Sequence, residues 1–187
     1  MKIVFLDRDG VINKYPGDRD YVKSWEEFSF LPKIKQSLKK LNDEGFKIFV
    51  ISNQAGVAKG IYSQDSLDMI TKNMLKELGR DKVEIAGVYY CPHRNEDNCS
   101  CRKPKTGLID MAVSKLTEQG IKPDLNGSYF VGDTAIDIQT GKRAGLKTIL
   151  IFSGKEKPQN KQEWGILPDY TASDLSEAVD LITKLSK

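Results

Sequence analysis

Short apolar runs alternate along the sequence with longer segments in which apolar residues recur every three or four positions. Short runs bounded by turn residues predict buried strands, and the periodic segments predict helices with one apolar face. The predicted strands span residues 2–6, 47–51, part of 83–90, 129–131, 148–152 and a short segment near Tyr170. The predicted helices run from Pro32 to Gly45, from Ser63 to Gly79, over 107–119, from beyond Asp133 to Gly145, and over 175–185.

The alternation of strands and helices with short connections predicts the fold class. It indicates an α/β domain: a three-layer, Rossmann-like parallel sheet with helices on both faces. A length of 187 residues and a hydrophobic content of 39% suit one domain over residues 1–187. Residues 14–31 lack a sustained period and predict a flap, and residues 153–168 predict a surface loop. The pattern alone leaves a flavodoxin-like or other Rossmann-type binding domain open.

Charge and cysteine content narrow the class of partner. The 29 basic and 26 acidic residues give a net charge of +3, too small a surplus to indicate a nucleic-acid surface by itself. The apolar runs are too short to cross a membrane, and Met1 leads directly into the first strand, so we expect neither a membrane segment nor an export signal. All three cysteines lie between Cys91 and Cys101, unlike a disulfide framework, which indicates a reducing, cytoplasmic compartment.

Polar groups suited to phosphate chemistry follow three of the predicted strands. Asp7 and Asp9 follow the first strand, Ser52 and Asn53 the second, and Asp133 the fourth. Parallel sheets bind ligands beyond the carboxyl ends of their strands, so we expect these groups to converge. Carboxylates such as Asp7 and Asp133 suit Mg²⁺, and an aspartate can attack phosphorus to form an aspartyl-phosphate. Asp9, two residues later, is placed to protonate the leaving alcohol and then to activate water.

Lys103 reaches the same region from the loop beyond the third strand. With the Ser52 hydroxyl and the amides near Asn53, it would surround the oxygens of a metaphosphate-like transition state with donors. The alternative is that Asp-x-Asp after a strand is merely a turn. The presence of Ser-Asn-Gln, Arg-Lys-Pro and Val-Gly-Asp after further strands, in this order, favours the catalytic interpretation.

The loop 91–101 gathers every cysteine and the single histidine of the sequence. Three thiolates and one imidazole form a complete tetrahedral set for structural zinc: Cys91, His93, Cys99 and Cys101. Coincidence is the competing explanation, and the lack of a Cys-x-x-Cys pair argues against a redox role. Zinc would order a loop with few apolar residues and so place Arg102 and Lys103, which follow directly. With His93 bound to metal, acid/base work falls to Asp9.

On these residues the sequence resembles a phosphatase of the haloacid-dehalogenase superfamily over nearly its whole length. The family's motifs correspond in order to Asp7-Arg8-Asp9-Gly10, Ser52, Lys103, and Val131-Gly132-Asp133 with Asp137. The resemblance implies that Asp7 is the nucleophile and Asp9 the acid/base. It further implies that Mg²⁺ is held by Asp7, the main-chain carbonyl of Asp9, and Asp133. No insertion between the motifs is long enough for a large cap domain, so we expect an open site.

The zinc loop, which reads Cys-Pro-His and then Cys-x-Cys-Arg-Lys-Pro, resembles two close groups. They are the D-glycero-D-manno-heptose-1,7-bisphosphate 7-phosphatases and the histidinol-phosphate phosphatases. The segment from Ser52 to Gly60 is similar to the first group, which implies hydrolysis of the C7 phosphate of the heptose bisphosphate, with histidinol phosphate as the alternative. Thr134 departs from the lysine that the heptose group often has. The resemblance implies substrate contacts from Asp18, Arg19, Asp20, Tyr21, Asn53, Gln54, Ala55, Arg102 and Thr134.

Two further functions remain as weaker alternatives. One is a nucleic-acid 3′-phosphatase, and the other is a non-catalytic zinc module that binds nucleic acid or a protein. Both call for a concentrated basic or aromatic surface near the metal, whereas the loop carries Glu96 and Asp97. We therefore expect a monomer that binds a small sugar phosphate and neither nucleic acid nor membrane.

Overall fold

The computed structural model describes residues 1–186, and its six strands form one sheet in the order β3-β2-β1-β4-β5-β6. Every neighbouring pair of strands is parallel, as predicted. The strands are β1 (Ile3–Leu6), β2 (Lys47–Asn53), β3 (Gly87–Cys91), β4 (Tyr129–Gly132), β5 (Lys147–Ile151) and β6 (Tyr170–Ala172).

Five α-helices cover both faces of this sheet. They are α1 (Ile34–Asp43), α2 (Gln64–Arg80), α3 (Gly107–Glu118), α4 (Ala135–Arg143) and α5 (Leu175–Leu185). Successive side chains of a strand point to opposite faces. In β1, Val4 and Leu6 pack with α1, α2 and α5, whereas Ile3 and Phe5 pack with α3. Helix α4 covers Leu150 on the α3 side of the sheet, through Ile138. The prediction of a three-layer fold is confirmed.

Most predicted boundaries lie within a few residues of those observed. The Ser63 hydroxyl accepts a hydrogen bond from the Ser66 N–H at 3.1 Å and caps α2, as predicted. Helix α1 begins at Ile34 rather than at Pro32, because Lys33 has a left-handed backbone with φ of 61° and interrupts the turn. The predicted surface loop contains a short 3₁₀-helix, Pro158–Glu163.

The sheet order places the functional region. Strand β1 pairs with β2 on one side and with β4 on the other, because the chain adds β2 and β3 in one direction and then crosses back to place β4 on the far side of β1. Such a switch point opens a crevice at the carboxyl ends of the strands. The flap, residues 14–31, lies beside this crevice and is fixed to the core by Val22 and Phe28, which are 3% and 8% exposed.

No cap domain interrupts the part of the chain that the structure describes. Across residues 1–186, no helix is both long enough and apolar enough to span a bilayer.

Candidate active site

A cavity of about 220 Å³ lies at the carboxyl ends of β1, β2 and β4. It brings together the four predicted catalytic residues and the predicted magnesium ligand of the fourth motif, although they come from separate parts of the sequence. The residues that line it are Asp7, Asp9, Tyr15, Pro16, Asp20, Tyr21, Ser52, Asn53, Arg102, Lys103, Asp133, Thr134, Ile136 and Asp137.

Asp7 occupies the first position after β1, and its side chain is 13% exposed. Its main-chain N–H donates to the Val131 carbonyl at 3.1 Å, which extends the pairing of β1 with β4 to this residue. Burial raises the pKa of Asp7 to about 6, although Lys103 and the Ser52 hydroxyl stabilise the charged form. At neutral pH, Asp7 is therefore a carboxylate able to act as a nucleophile.

Lys103 provides the positive charge beside Asp7. Its Nζ lies 3.1 Å from Asp7 Oδ2 and 2.5 Å from Asp137 Oδ1, and it donates to the Ile51 carbonyl at 3.0 Å. Burial opposes the charge, but Asp137 and Asp7 outweigh it and raise the pKa of Lys103 above its usual range. Lys103 therefore stays protonated throughout the physiological range.

Asp137 has two structural tasks. One carboxylate oxygen accepts from Lys103, and the other accepts from the Thr134 N–H at 3.1 Å and the Thr134 hydroxyl at 2.6 Å. Together with the Asp137 N–H, these contacts form a capping box at the start of α4. Thr134 lines the cavity, but its hydroxyl proton points to Asp137 rather than to a substrate. The Thr-x-x-Asp pattern was the sequence signal for this arrangement.

Asn53 holds the main chain of Lys103. Its Oδ1 accepts from the Lys103 N–H at 3.0 Å, and its Nδ2 donates to the Lys103 carbonyl at 3.2 Å. The predicted substrate contact of Asn53 is thus accompanied by a structural role that the motif alone did not indicate. Arg102 lines the same cavity, and its guanidinium donates to the His93 carbonyl at 3.0 Å.

The flap contributes to the cavity differently from prediction. Asp20 and Tyr21 line it, whereas Asp18 and Arg19 do not. The Asp18 carboxylate accepts from the Tyr15 hydroxyl at 2.6 Å and pairs with Lys155 at 3.0 Å, so it connects the flap to a neighbouring loop.

Three further residues line the cavity and were not predicted: Tyr15, Pro16 and Ile136. Tyr15 and Pro16 belong to the flap, whose sequence lacks a period. Ile136, on the first turn of α4, is 45% exposed. None of these three residues belongs to a sequence motif that would indicate contact with a ligand.

Gln54 and Ala55, both predicted to contact substrate, lie beneath the cavity rather than in its lining. They are 1% and 5% exposed. The Gln54 side chain points inward and contacts Asp9, Ser52, Arg8 and Tyr62. The Gln54 side chain therefore contacts two of the predicted catalytic residues, Asp9 and Ser52, and its predicted contact with substrate stays a prediction.

The acidic side chains of the cavity fit a hard divalent cation. Carboxylate oxygens of Asp7, Asp133 and Asp137 lie within 4.8 Å of one another. Burial raises the pKa of Asp133 well above its usual value, and the neighbouring carboxylates raise it further. Both oxygens of Asp137 accept from protein donors, whereas only one oxygen of Asp133 accepts from a protein N–H, so Asp133 keeps its other oxygen for an ion that prefers carboxylate oxygen. The side chain of Asp7 is 13% exposed to the cavity, whereas that of Asp137 is fully buried.

Two glycines make room for the Asp133 carboxylate. A Cβ on Gly10 would lie 2.2 Å from Asp133 Oδ2, and one on Gly154 would lie 2.0 Å from the same atom. The Lys155 N–H donates to this oxygen at 2.8 Å. The surrounding backbone therefore fixes the direction of this ligand toward the cavity.

The cysteine and histidine side chains form a second cluster whose donor atoms could hold a metal ion. The Cys91 sulfur lies 3.6 Å from both His93 Nδ1 and the Cys99 sulfur, and the Cys101 sulfur lies 3.3 Å from His93 Nδ1 and 3.4 Å from the Cys99 sulfur. A tetrahedral zinc site with Zn–S bonds of ~2.3 Å has S···S edges of about 3.8 Å. Burial raises the pKa of Cys91 to about 12, so a cation is needed to keep it as thiolate at neutral pH. The cluster fits zinc.

Comparison with known proteins identifies the family. The profile of a family described as "Polynucleotide kinase 3 phosphatase" matches residues 2–148. The D-glycero-D-manno-heptose-1,7-bisphosphate 7-phosphatase of Chlorobaculum tepidum is 36% identical over 185 residues, covering 95% of this chain and 92% of that protein. The chain belongs to the heptose-bisphosphate phosphatase family. Another member, the D-glycero-beta-D-manno-heptose-1,7-bisphosphate 7-phosphatase of Haemophilus influenzae, is 33% identical and covers 100% of this chain and 99% of its own.

A solved structure from the heptose-bisphosphate phosphatase family shares the fold. The D,D-heptose 1,7-bisphosphate phosphatase of B. bronchiseptica, complexed with magnesium and phosphate, has a TM-score of 0.85 and 29% identity. The superposition covers 99% of each chain. The resemblance to haloacid-dehalogenase phosphatases that the motifs indicated is confirmed, and the chain is a phosphatase.

Proposed function

We propose that this phosphatase removes the C7 phosphate of D-glycero-D-manno-heptose 1,7-bisphosphate through an aspartyl-phosphate on Asp7. The observation that carries the proposal is the buried ammonium of Lys103, which lies 3.1 Å from Asp7 in a cavity that also contains the carboxylate of Asp133. The relatives of this chain are named for the same substrate. A carboxylate nucleophile needs such a charge to approach a phosphate dianion.

The chemistry proceeds in two displacements. An oxygen of Asp7 attacks phosphorus while the bond to the sugar oxygen breaks, and Asp9, which begins the cycle protonated, donates its proton to that leaving oxygen and becomes a carboxylate. Asp9 then takes a proton from water, whose oxygen attacks phosphorus. The bond between phosphorus and Asp7 breaks, inorganic phosphate leaves, and both aspartates return to their starting states. Lys103 and the Ser52 hydroxyl donate to the transferring oxygens in both steps.

Mg²⁺ is the proposed catalytic cofactor. Asp7, Asp133 and the main-chain carbonyl of Asp9 would hold it. When bound, it supplies positive charge that reduces the repulsion between nucleophile and phosphate. The magnesium in the B. bronchiseptica relative supports this choice.

Zinc is the proposed structural metal of the loop 91–101, with Cys91, His93, Cys99 and Cys101 as its complete set of ligands. Four protein ligands leave no position for water, so this metal would contribute to folding rather than to the reaction.

The cavity suggests how a bisphosphate sugar is held. Arg102 is placed to bind the second phosphate through its forked guanidinium, and Asp20 and Tyr21 face the sugar from the flap. We further propose a monomer of one domain in which Asp18 and Arg19 shape the flap.

The test is phosphate release by the purified protein loaded with Mg²⁺ and zinc. Both anomers of heptose 1,7-bisphosphate, histidinol phosphate and a 3′-phosphorylated oligonucleotide should be compared, and ³¹P NMR should show which sugar phosphate is lost. We expect loss of the C7 phosphate, with Asp7→Asn inactive. Preference for histidinol phosphate or the oligonucleotide would overturn the assignment, as would release from none of them.

A further inference from the structure

A buried polar network lies directly beneath the catalytic cavity. Arg8 is 0% exposed, Gln54 is 1% exposed and Tyr62 is 7% exposed. Burying a guanidinium costs free energy unless it is paired and hydrogen-bonded. Burial opposes the charge of Arg8, but Asp9 outweighs it and raises the pKa of Arg8 above its usual range. The network therefore keeps a permanent cation against Asp9.

The Asp9 carboxylate is held on both oxygens. Arg8 spans the carboxylate, with Nε 3.2 Å from Oδ1 and an η-nitrogen 3.1 Å from Oδ1 and 3.0 Å from Oδ2. Asn13 Nδ2 donates to Oδ1 at 2.8 Å, and Gln54 Nε2 donates to Oδ2 at 2.8 Å. These donors, two from the turn after β1 and one from the residue that follows β2, together fix the direction in which the Asp9 carboxyl group points.

The orientation of the Gln54 amide is set by its partners. Its Oε1 accepts from the Arg8 guanidinium at 3.1 Å and from the Tyr62 hydroxyl at 2.6 Å. Its Nε2 therefore faces the other way and donates to both Asp9 Oδ2 and Ser52 Oγ, the latter at 3.2 Å. Because Ser52 Oγ accepts from Gln54, its own proton is free to point toward Asp7 and a bound phosphoryl group.

Tyr62 is in turn held in place by close packing. A Cβ on Gly56 would lie 2.1 Å from the Tyr62 ring, so only glycine allows the ring to approach this closely. The Tyr90 ring lies 5.5 Å from the Arg8 guanidinium carbon and covers another side of the network. Arg8, Gln54 and Tyr62 are thus enclosed beneath the cavity, and none of the three lines it.

We propose that Arg8 and Gln54 are positioning residues that aim the Asp9 carboxylate at the leaving oxygen and the Ser52 proton at the phosphoryl group. This inference rests on the proposed function, in which Asp9 moves the proton. One amide, Gln54, connects the acid/base with a phosphoryl-binding hydroxyl. Its loss disturbs proton transfer while substrate binding by the flap and Arg102 is retained.

Gln54→Met tests the inference, because methionine keeps the length of the side chain and removes both amide groups. Gln36→Met, on the exposed part of α1, makes the same change outside the network. Single-turnover rates should be measured with heptose bisphosphate, whose alkoxide leaving group needs a proton, and with 4-nitrophenyl phosphate, whose leaving group does not.

For Gln54→Met we expect the rate with heptose bisphosphate to fall at least about tenfold more than the rate with 4-nitrophenyl phosphate, since general acid catalysis contributes on the order of 10²–10⁴. KM should stay within about threefold of the unchanged protein because the substrate contacts remain. The Gln36→Met control should match the unchanged protein.

An equal fall in the single-turnover rates with both substrates would overturn the inference. A change confined to KM would also overturn it, because it would show that Gln54 contacts the substrate. Should Gln54→Met fail to fold, Arg8→Lys carries the same test, since lysine keeps the charge but loses the fork across both Asp9 oxygens. Inactivity of the unchanged protein on heptose bisphosphate would overturn the proposed function instead, a distinct result.

Discussion

Replacing Lys103 with methionine should destabilise the metal-free protein by about 3–5 kcal/mol, the usual cost of removing one partner from a buried ion pair. Lys103 is 3% exposed, and the carboxylate of its partner Asp137 is fully buried. Lys103→Met leaves this carboxylate and that of Asp7 close together with no protein cation between them. Their mutual repulsion then opposes folding at neutral pH.

The magnitude comes from charge rather than from packing. Methionine fills most of the volume of the lysine stem, and volume-conserving changes usually cost under about 1.5 kcal/mol. The hydrogen bond to the Ile51 carbonyl contributes only about 1 kcal/mol. The ion pairs at 2.5 Å with Asp137 and 3.1 Å with Asp7 account for the rest.

Urea unfolding at neutral pH, without Mg²⁺ but with zinc retained, measures this loss. The double variant Lys103→Met/Asp137→Asn should recover about 1–3 kcal/mol relative to the sum of the single variants, because their contacts are shared. Lys115→Met, on the exposed side of α3, should change stability by under about 0.5 kcal/mol. A loss below about 1 kcal/mol for Lys103→Met, or no coupling in the double variant, would refute the reasoning.

Three other changes have expected outcomes. Because burial raises the pKa of Asp7 to about 6 and that of Asp133 well above its usual value, the folded metal-free protein binds protons that the unfolded chain has released. Its free energy of unfolding should therefore fall as the pH rises from about 4 to about 6. Urea unfolding at several pH values in that range measures this change, and an increase in stability with pH would contradict the prediction. Elemental analysis should find about one zinc per chain, and clearly less in Cys101→Ser; equal zinc in both would rule out the ligand set. Asn53→Ala should lower kcat about tenfold with little change in KM, since its amide holds the main chain of Lys103; steady-state kinetics would contradict this if only KM changed.

Much of the fold could be predicted from local patterns. The short apolar runs are bounded by polar residues and glycine, and a residue such as Ser63 marks a helix start through its own hydroxyl. Other features could not be predicted. The left-handed backbone of Lys33 has no signal in its side chain, and the 3₁₀-helix within residues 158–163 lies in a sequence without periodicity. Both depend on how neighbouring elements pack.

The sequence predicts which strand each site residue follows. It does not predict the direction in which each side chain points. Asp7 and Lys103 converge as expected. Gln54 follows the predicted strand, yet its side chain contacts Asp9 beneath the cavity, and the Thr134 hydroxyl, although Thr134 lines the cavity, donates to Asp137. Inward and outward directions at a strand end depend on the partners that the fold supplies. For Gln54, those partners include Arg8 and Asp9, which are about 45 residues away in the sequence.

The path of Lys103 connects the loop 91–101 to the cavity. Lys103 follows β3, which is two strands away from β1, so its main chain must cross the end of β2 to bring the ammonium to Asp7. Asn53, the last residue of β2, holds that crossing with two hydrogen bonds. The other support is the segment ending at Cys101, which has few apolar contacts of its own. If zinc orders this segment as proposed, its removal should lower the rate of phosphoryl transfer by displacing Lys103.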